Sequence, residues 1–294
     1  MKYAIIKELQ KEHSLRALCK YLRVFRSGYY KWLSTVKDNL KDNTLLLTKV
    51  REIYRSSRGS YGSPRVHAQL RAWGWEISKS SVERIMRAYN IQGKKRRSYR
   101  SCTNSKHPRP IAPHLLERRF DRGAPNKVWL ADITYLKTES GFAYLAAVLD
   151  GHSRKVVGWA LSSNLSTSLV VNALAMATGR EHPSPGLTCH SDRGSQYASK
   201  EYRVLLQKHG MVQSMSRKGN CWDNAPMESF FDTLKCEHLK SKSFRNLKEV
   251  RNSIFEWIEV FYNRKRLHSS LGYQTPACIQ EGSLRQEARK VVHF

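Results

Sequence analysis

Apolar and polar positions follow two different patterns along the chain. Up to residue 93, apolar residues recur every three or four positions, which is typical of helices with one buried face. From residue 127 onward, apolar runs of strand length, separated by turn residues, replace that spacing. The pattern therefore predicts a helical N-terminal part and a strand-rich central part.

Residues 1–40 contain short amphipathic segments separated by tight turns. Ser14 and Ser27 are the predicted N-caps of two of these segments, because a serine side chain satisfies free amides at a helix start. Two short helices across a tight turn predict a helix-turn-helix. A small helical bundle shows the same pattern, and in that interpretation Tyr30 and Trp32 lie in the core.

Residues 41–93 repeat this arrangement. The segment 44–56 predicts an amphipathic helix, and a turn rich in Gly and Pro follows it. A second helix is expected to end at Gly74, and Ser80 or Ser81 is the predicted cap of a third. We therefore predict a second DNA-binding region of the helix-turn-helix type.

Residues 94–126 form a basic, Pro-rich linker. It opens with the cations Lys94, Lys95, Arg96 and Arg97 and contains four prolines, which prevent a continuous helix. Four consecutive cations fit contact with phosphates. A flexible, solvated tether is the equally open alternative.

Residues 127–240 predict the catalytic core. Strands are expected at 128–138, 142–150, 154–163, 187–190 and 211–216, and helices at 165–179, 200–210 and 224–235. This order predicts an α/β fold with a mixed five-stranded sheet flanked by helices. Residues 241–294 add a C-terminal helix and a basic tail.

The charge is strongly positive and unevenly distributed. The net charge is +28, and residues 1–120 carry 28 Lys and Arg against 8 Asp and Glu. Such an excess predicts a polyanionic partner, and double-stranded DNA fits it. No apolar run is long enough to span a bilayer, and the N-terminus does not resemble a signal peptide. Six scattered cysteines without a CxxC pair are consistent with a reducing cytoplasm.

Three carboxylates lie in contexts that suit metal ligands. Asp132 interrupts a predicted strand, Asp192 follows one, and Glu228 lies on a predicted helix. Carboxylate oxygens suit Mg²⁺ or Mn²⁺, and two such ions about 4 Å apart serve phosphodiester chemistry. Lys235 lies seven residues after Glu228, close to two helical turns, so both share one face. Because the chain has 24 acidic residues, chance is the competing explanation, and a solvent-exposed lysine is the alternative for Lys235.

Three other features near these carboxylates have a structural and a functional interpretation. His190 either packs in the core or tunes the site, and Asp150 is expected to cap a strand turn. The loop 219–224 predicts a mobile turn before Glu228, and ordering of this loop on DNA is a hypothesis.

The segments around the carboxylates are WLADITYL, AAVLDGHSRKVVGWA, HSDRGSQY and SRKGNCWDNAPMESFFDTLKCE. Together with YGSPRVHAQL and SVERIMRAYNI, they closely resemble bacterial insertion-sequence transposases. The resemblance is to the class with a retroviral-integrase-like core, encoded in the second of two overlapping reading frames. It covers nearly the whole chain. It implies a ribonuclease-H-like core preceded by all-α helix-turn-helix modules, with Asp132, Asp192 and Glu228 as the metal-binding catalytic triad and Lys235 as a basic partner.

The resemblance also implies an activity and its partners. A homo-oligomer would cut DNA at terminal inverted repeats and join the freed 3′-hydroxyl to target DNA, using two Mg²⁺ or Mn²⁺ ions. Zinc is not expected, because His13 and Cys19 lack the partners of the integrase zinc module. The expected location is the bacterial cytoplasm, at the nucleoid.

The candidate DNA contacts are basic side chains of the predicted recognition segments and the linker. They are Arg23, Arg26, Lys31, Lys79, Arg84, Arg87, Lys94, Lys95, Arg96 and Arg97, with Tyr29 beside the first three. Two other functions stay open. One is a regulatory or partner subunit that needs an upstream-frame product for catalysis. The other is a ribonuclease-H-like nuclease, against which the two helix-turn-helix patterns argue.

Overall fold

The computed structural model describes residues 2–94, 109–218, 220–240 and 242–291, and of residues 35–43, 221 and 286–291 it describes the backbone alone. The chain divides into two compact units, Met1–Gly93 and Lys94–Phe294. No helix in the described ranges has the length and apolar character needed to cross a bilayer.

The described part of the N-terminal unit is helical. Its helices are α1 (Lys2–Leu9), α2 (Leu15–Tyr21), α3 (Arg26–Ser56), α4 (Ser63–Ala72) and α5 (Lys79–Ala88). One small core joins α1, α2 and the start of α3 through Ile6, Leu18, Cys19 and Tyr29. The helical content predicted for this unit is confirmed.

Helix α3 differs from the prediction in its length and its buried face. The predicted helices on either side of residue 40 are one continuous helix, which starts after Phe25 without a side-chain cap, so Ser27 is not a cap. Tyr29 is 1 % exposed, whereas Tyr30 is 51 % exposed. The DNA-binding interpretation was therefore wrong in placing Tyr29 near phosphates, and the bundle interpretation was wrong in placing Tyr30 in the core, although Trp32 does pack against it. The buried face of the longer helix follows Tyr29 and Trp32, which lie three residues apart.

The other caps of this unit are serine side chains. Ser14 accepts a hydrogen bond from the amide of Ala17 at 3.3 Å, as predicted. Ser78 accepts one from the amide of Ser81 at 3.2 Å and starts α5, so neither Ser80 nor Ser81 is the cap. Helices α4 and α5 are separated by a turn through Gly74, whose φ of 83° is readily adopted by glycine.

The second unit is built on a mixed five-stranded sheet, which confirms the predicted architecture. The strands are β1 (Val128–Thr138), β2 (Gly141–Asp150), β3 (Val156–Ser162), β4 (Thr188–Ser191) and β5 (Val212–Met215). Their order is β3-β2-β1-β4-β5. The pairs β1–β2 and β2–β3 are antiparallel, whereas β1–β4 and β4–β5 are parallel.

Helices cover both faces of the sheet. Alternate strand residues point to opposite sides, and apolar residues on both sides give each face a surface for helices to pack on. The helices are α6 (Thr167–Glu181), α7 (Lys200–Lys208), α8 (Ala225–Leu234), α9 (Leu247–Phe255) and α10 (Pro276–Val291). Trp129 and Ala131 pack in the core shared with α6 and α7, whereas Leu130 and Leu136 pack in the core shared with α8 and α9. Each face of β1 therefore supports a different set of helices.

Helix α6 ends later than predicted. Gly179 lies inside the helix, which runs to Glu181 and stops at His182 in a left-handed conformation with φ of 44°. A histidine rather than a glycine thus provides the left-handed residue that often ends a helix.

Candidate active site

Asp132 lies in the middle of β1 and is half-buried. It faces Ala147 of β2 in the antiparallel register, and its Oδ1 accepts a hydrogen bond from the amide of Ile133 at 2.8 Å. Its strand parity is that of Leu130 and Leu136, so it shares the sheet face covered by α8.

Asp192 follows β4 directly and is half-buried as well. The parallel register pairs Leu130 of β1 with His190 of β4. Two residues further on, both strands reach their carboxylates, so the register brings Asp132 and Asp192 to the same level of the sheet. The Oδ1 of Asp192 accepts a hydrogen bond from the amide of Gly194 at 2.9 Å, which fixes the turn after β4.

Glu228 projects from α8, which packs on β1 through Met227 and Phe230 on its buried face. The start of this helix is tied to β1 beside Asp132, because Asn224 donates a side-chain hydrogen bond to the carbonyl of Ala131 at 3.2 Å. Partial burial, and then the nearby charge of Asp232, raise the pKa of Glu228.

The charges of the other predicted site residues act on Asp132. Desolvation raises the pKa of Asp132 well above its usual value, and the charges of Asp192 and Glu228 raise it further, whereas Lys235 lowers it. Burial lowers the pKa of Lys235, against the opposing effect of Asp232 and Asp132. Asp132 is therefore within electrostatic range of Asp192, Glu228 and Lys235, and Asp192 has the largest effect of the three.

The residues fit a divalent cation by their chemistry, although they do not form a closed cage. In the part of the chain that the structure describes, no three His, Cys, Asp or Glu side chains are grouped as a ready metal site. The donors near Asp132 are carboxylates, the ligands that hard cations prefer. Because Asp192 and Glu228 both disfavour the ionised form of Asp132, a cation would offset that repulsion.

A buried ion-pair network before α8 was missed in the sequence. Asp223 is 0 % exposed and accepts hydrogen bonds from Arg217 Nε at 2.9 Å and Nη2 at 2.8 Å. Arg118 adds a contact at 3.4 Å. The hydrogen bonds from Arg217 hold the pKa of Asp223 well below its usual range. Asp223 and Asn224 together fix the approach to α8, and no local pattern marks this role.

His190 is buried in the sheet. Its Nδ1 lies 2.9 Å from the Ser214 hydroxyl and its Nε2 lies 3.1 Å from the Ser216 hydroxyl. Desolvation, and then the neighbouring His114, lower the pKa of His190 to about 4. This geometry matches the packing interpretation of His190.

Asp150 caps the turn after β2, as expected. Its Oδ1 accepts a hydrogen bond from the amide of Ser153 at 2.7 Å and its Oδ2 accepts one from the amide of Asn126 at 2.8 Å.

In the loop before α8, Trp222 is 66 % exposed. Gly219 lies outside the described residues, and ordering of this loop on DNA stays a prediction.

The predicted DNA contacts of the N-terminal unit are exposed side chains. They are Arg23, Arg26 and Lys31 around the start of α3, and Lys79, Arg84 and Arg87 on α5. Lys79 also lies 3.6 Å from Glu83. Lys94 donates a hydrogen bond to the carbonyl of Glu237 at 2.7 Å, so part of its role is structural. Lys95, Arg96 and Arg97 lie outside the described residues.

The strand order and the helices on both faces define a protein of the ribonuclease-H-like class. Residues 122–221 and 209–276 each match a family described as "Integrase core domain", and residues 41–99 match one described as "HTH-like domain".

Two relatives cover nearly the whole chain. Transposase InsF for insertion sequence IS3A of Escherichia coli strain K12 is 36% identical over 287 residues, which are 97% of this chain and 100% of that protein. The insertion element IS600 uncharacterized 31 kDa protein of Shigella sonnei is 40% identical over 265 residues, which are 90% of this chain and 97% of that protein. The chain therefore belongs to the family of insertion-sequence transposases with an integrase core domain.

Solved structures give weaker likenesses. A chain of the simian T-cell lymphotropic virus intasome, solved with the PP2A regulatory subunit B56 gamma, is 15% identical with a TM-score of 0.46, covering 79% of this chain and 74% of that chain. The HTLV-2 integrase catalytic core domain in complex with magnesium is 15% identical with a TM-score of 0.42, covering 54% of this chain and 98% of that chain.

Proposed function

We propose that the chain cuts DNA at the ends of its insertion element and transfers the freed strand to target DNA. Asp132, Asp192 and Glu228 are the proposed catalytic triad. The observation that carries this proposal is the parallel register that brings Asp132 and Asp192 to one level of the sheet, with the start of the helix that bears Glu228 bonded to the same strand through Asn224. Perturbed carboxyl groups that converge at a sheet are typical of catalytic sites.

The proposed cofactors are two Mg²⁺ or Mn²⁺ ions, held by the oxygens of the three carboxylates. When bound, such ions supply positive charge to the attacking and leaving oxygens of a phosphodiester. The chain itself supplies orientation, because Asn224 holds the start of α8 against β1. The ammonium of Lys235 is proposed to bind a DNA phosphate beside the carboxylates.

The proposed reaction has two displacements at phosphorus. In the first, water attacks the phosphorus at the element end and loses a proton to solvent, the bond from phosphorus to O3′ breaks, and a 5′-phosphate and a 3′-hydroxyl protonated from solvent are formed. In the second, that hydroxyl loses its proton to solvent and attacks a target phosphodiester, a new bond from phosphorus to oxygen forms, and the target O3′ leaves with a proton from solvent. Orientation of the two oxygens in line supplies much of the rate, and no covalent enzyme intermediate is needed.

The proposed partner is double-stranded DNA, both terminal inverted repeats and target. The exposed cations of the helix-turn-helix region fit phosphate contacts, which position a protein on a duplex. Joining two ends implies a homo-oligomer on DNA. An upstream-frame product is a further proposed partner.

The test is strand transfer with DNA that carries the element's inverted repeats. Asp132→Asn, Asp192→Asn and Glu228→Gln should each slow strand transfer by at least about 100-fold, which corresponds to about 3 kcal/mol, while DNA binding is retained. Glu201→Gln, which changes an exposed acid on α7, is the matched control and should keep wild-type activity. Wild-type strand transfer by any of the three triad variants would contradict the proposal. Binding of wild-type protein without cleavage in Mg²⁺ would favour the regulatory subunit instead.

A further inference from the structure

Two aromatic rings are exposed on the hairpin of β1 and β2. Tyr135 is 58 % exposed and Phe142 is 53 % exposed. Their ring centroids lie 5.6 Å apart and their planes are nearly perpendicular, at 89°. Tyr135 lies three residues after Asp132 on β1 and therefore has the opposite strand parity, so the link between this apolar surface and the proposed triad is Lys235, whose Nζ lies over the Tyr135 ring. Grouped exposed aromatic side chains often mark binding surfaces.

Cations surround the same rings. The Nζ of Lys235 lies 5.3 Å from the ring centroid of Tyr135, within the range of a cation–π interaction. A cavity of about 420 Å³ opens beside Tyr135, and Lys137, Lys240 and Lys242 also line it. Asp232 is the carboxylate among the lining residues. The wall thus combines aromatic surface with an excess of positive charge.

We infer that this cavity, with the exposed ring of Tyr135 in its wall and Phe142 against that ring, binds one unpaired nucleobase of the DNA strand that enters the active site. We call it the Tyr135 pocket. Aromatic rings that stack bases, combined with cations that track the backbone, are the usual means of holding single-stranded DNA. A base that is stacked and paired within a duplex is not available to such a pocket, so the base must be unpaired.

The shape and charge favour a nucleotide over an apolar protein segment. Ligand pockets commonly have volumes of about 300 to 1,000 Å³, and the observed cavity lies in that range. An apolar peptide would desolvate the lysine ammoniums of this wall, whereas the phosphates of a nucleotide would bring negative charge to them. The inference rests on the proposed function only in taking DNA as the substrate.

The test uses the full chain in EDTA with two DNA probes of arbitrary sequence. One is a short duplex with a single-stranded 3′ overhang that carries 2-aminopurine, and the other is the blunt duplex with the same base paired. Wild-type protein should quench the overhang probe and bind it more tightly than the blunt one. Tyr135→Ala should abolish the quenching and weaken overhang binding about tenfold, because it removes the ring on which the base stacks.

Control variants separate stacking from folding. Tyr135→Phe keeps an aromatic ring and should keep the quenching. Phe255→Ala removes a ring on α9 that is 51 % exposed, similar to Phe142, and should change neither quenching nor affinity. A Tyr135→Ala protein that quenches and binds the overhang like wild type would overturn the inference.

The outcome is independent of catalysis. Asp132→Asn should retain the quenching although strand transfer is lost. Normal strand transfer by Asp132→Asn would contradict the proposed triad. The Tyr135 pocket is decided separately, by quenching of the overhang probe. Equal affinity of wild-type protein for both probes, without quenching, would exclude the pocket and leave the triad untouched.

Discussion

Asp132 has apolar neighbours, Ala131 and Ile133, and faces Ala147 across β2. A carboxylate at such a position is costly to ionise, and its raised pKa records that cost. Two more carboxylates nearby increase it. The proposed divalent cations would offset this cost, which Lys235 lowers only in part.

Asp223 is a residue whose charge stabilises the fold. The substitution Asp223→Asn keeps the shape of the side chain but removes the charge that pairs with Arg217 and Arg118. We expect the free energy of unfolding to fall by roughly 2 kcal/mol, less than for a fully buried pair because both arginines are half-exposed. Urea unfolding of the full chain measures this change.

The control for this prediction is Asp121→Asn. Asp121 pairs with His152 at 2.8 Å, but its side chain is 52% exposed, so the same change should cost less than about 0.5 kcal/mol. Equal effects of the two substitutions would show that burial of Asp223 adds nothing to its contribution.

Helix α6 and strand β3 approach each other so closely that one glycine is required between them. A Cβ on Gly158 would overlap the carbonyl of Ala173 and lie 2.6 Å from the amide nitrogen of Ala177. Because the obstacles are backbone atoms, they cannot move aside cheaply. Gly158→Ala should lower the free energy of unfolding by about 1 to 3 kcal/mol, measured by chemical denaturation.

Gly179 provides the matched substitution on the same helix. It lies inside α6, and a Cβ there would meet no atom within 4 Å. Gly179→Ala should therefore stabilise the protein by about 0.5 to 1 kcal/mol, because alanine loses less backbone entropy in a helix. If Gly158→Ala and Gly179→Ala change the free energy of unfolding in the same direction, the close approach of β3 and α6 is not the cause of the effect.

Strands were more predictable than helix ends, for a physical reason. The apolar run and turn around β1 predicted 128–138, and the strand is Val128–Thr138, because strand patterning is local. The sequence did not predict that α3 is continuous, because no residue between its two apolar patterns indicates that they belong to one helix. Gly179 was misread as a stop because glycine is common at helix ends but is also tolerated inside helices.

The site was predictable in its parts but not in its assembly. Each carboxylate stood out by its local context, whereas the pairing of Leu130 with His190 that aligns Asp132 and Asp192 depends on a parallel register between distant strands. The supporting contact of Asn224 with Ala131 spans 93 residues of sequence. Long-range contacts of this kind leave no local pattern, and family resemblance supplied the assembly instead.

Charge divides the chain as a whole into regions with different tasks. Residues 1–120 hold 28 of the 52 Lys and Arg but only 8 of the 24 Asp and Glu. The proposed triad lies in the other, less basic part. Non-specific attraction to DNA should therefore come mainly from the N-terminal helices and the basic linker, while the core is proposed to contribute the chemistry.

This division predicts how affinity for DNA depends on salt. Arg84 is exposed on α5, and if it binds a phosphate, Arg84→Ala should reduce the slope of log affinity against log salt by about 1, because one fewer counterion is released. Lys248→Ala removes an equally exposed cation from α9 and should leave the slope unchanged. Fluorescence anisotropy across a salt series measures both slopes. A larger loss for Lys248→Ala than for Arg84→Ala would place the main electrostatic contact on the core and contradict the assignment of α5 to DNA.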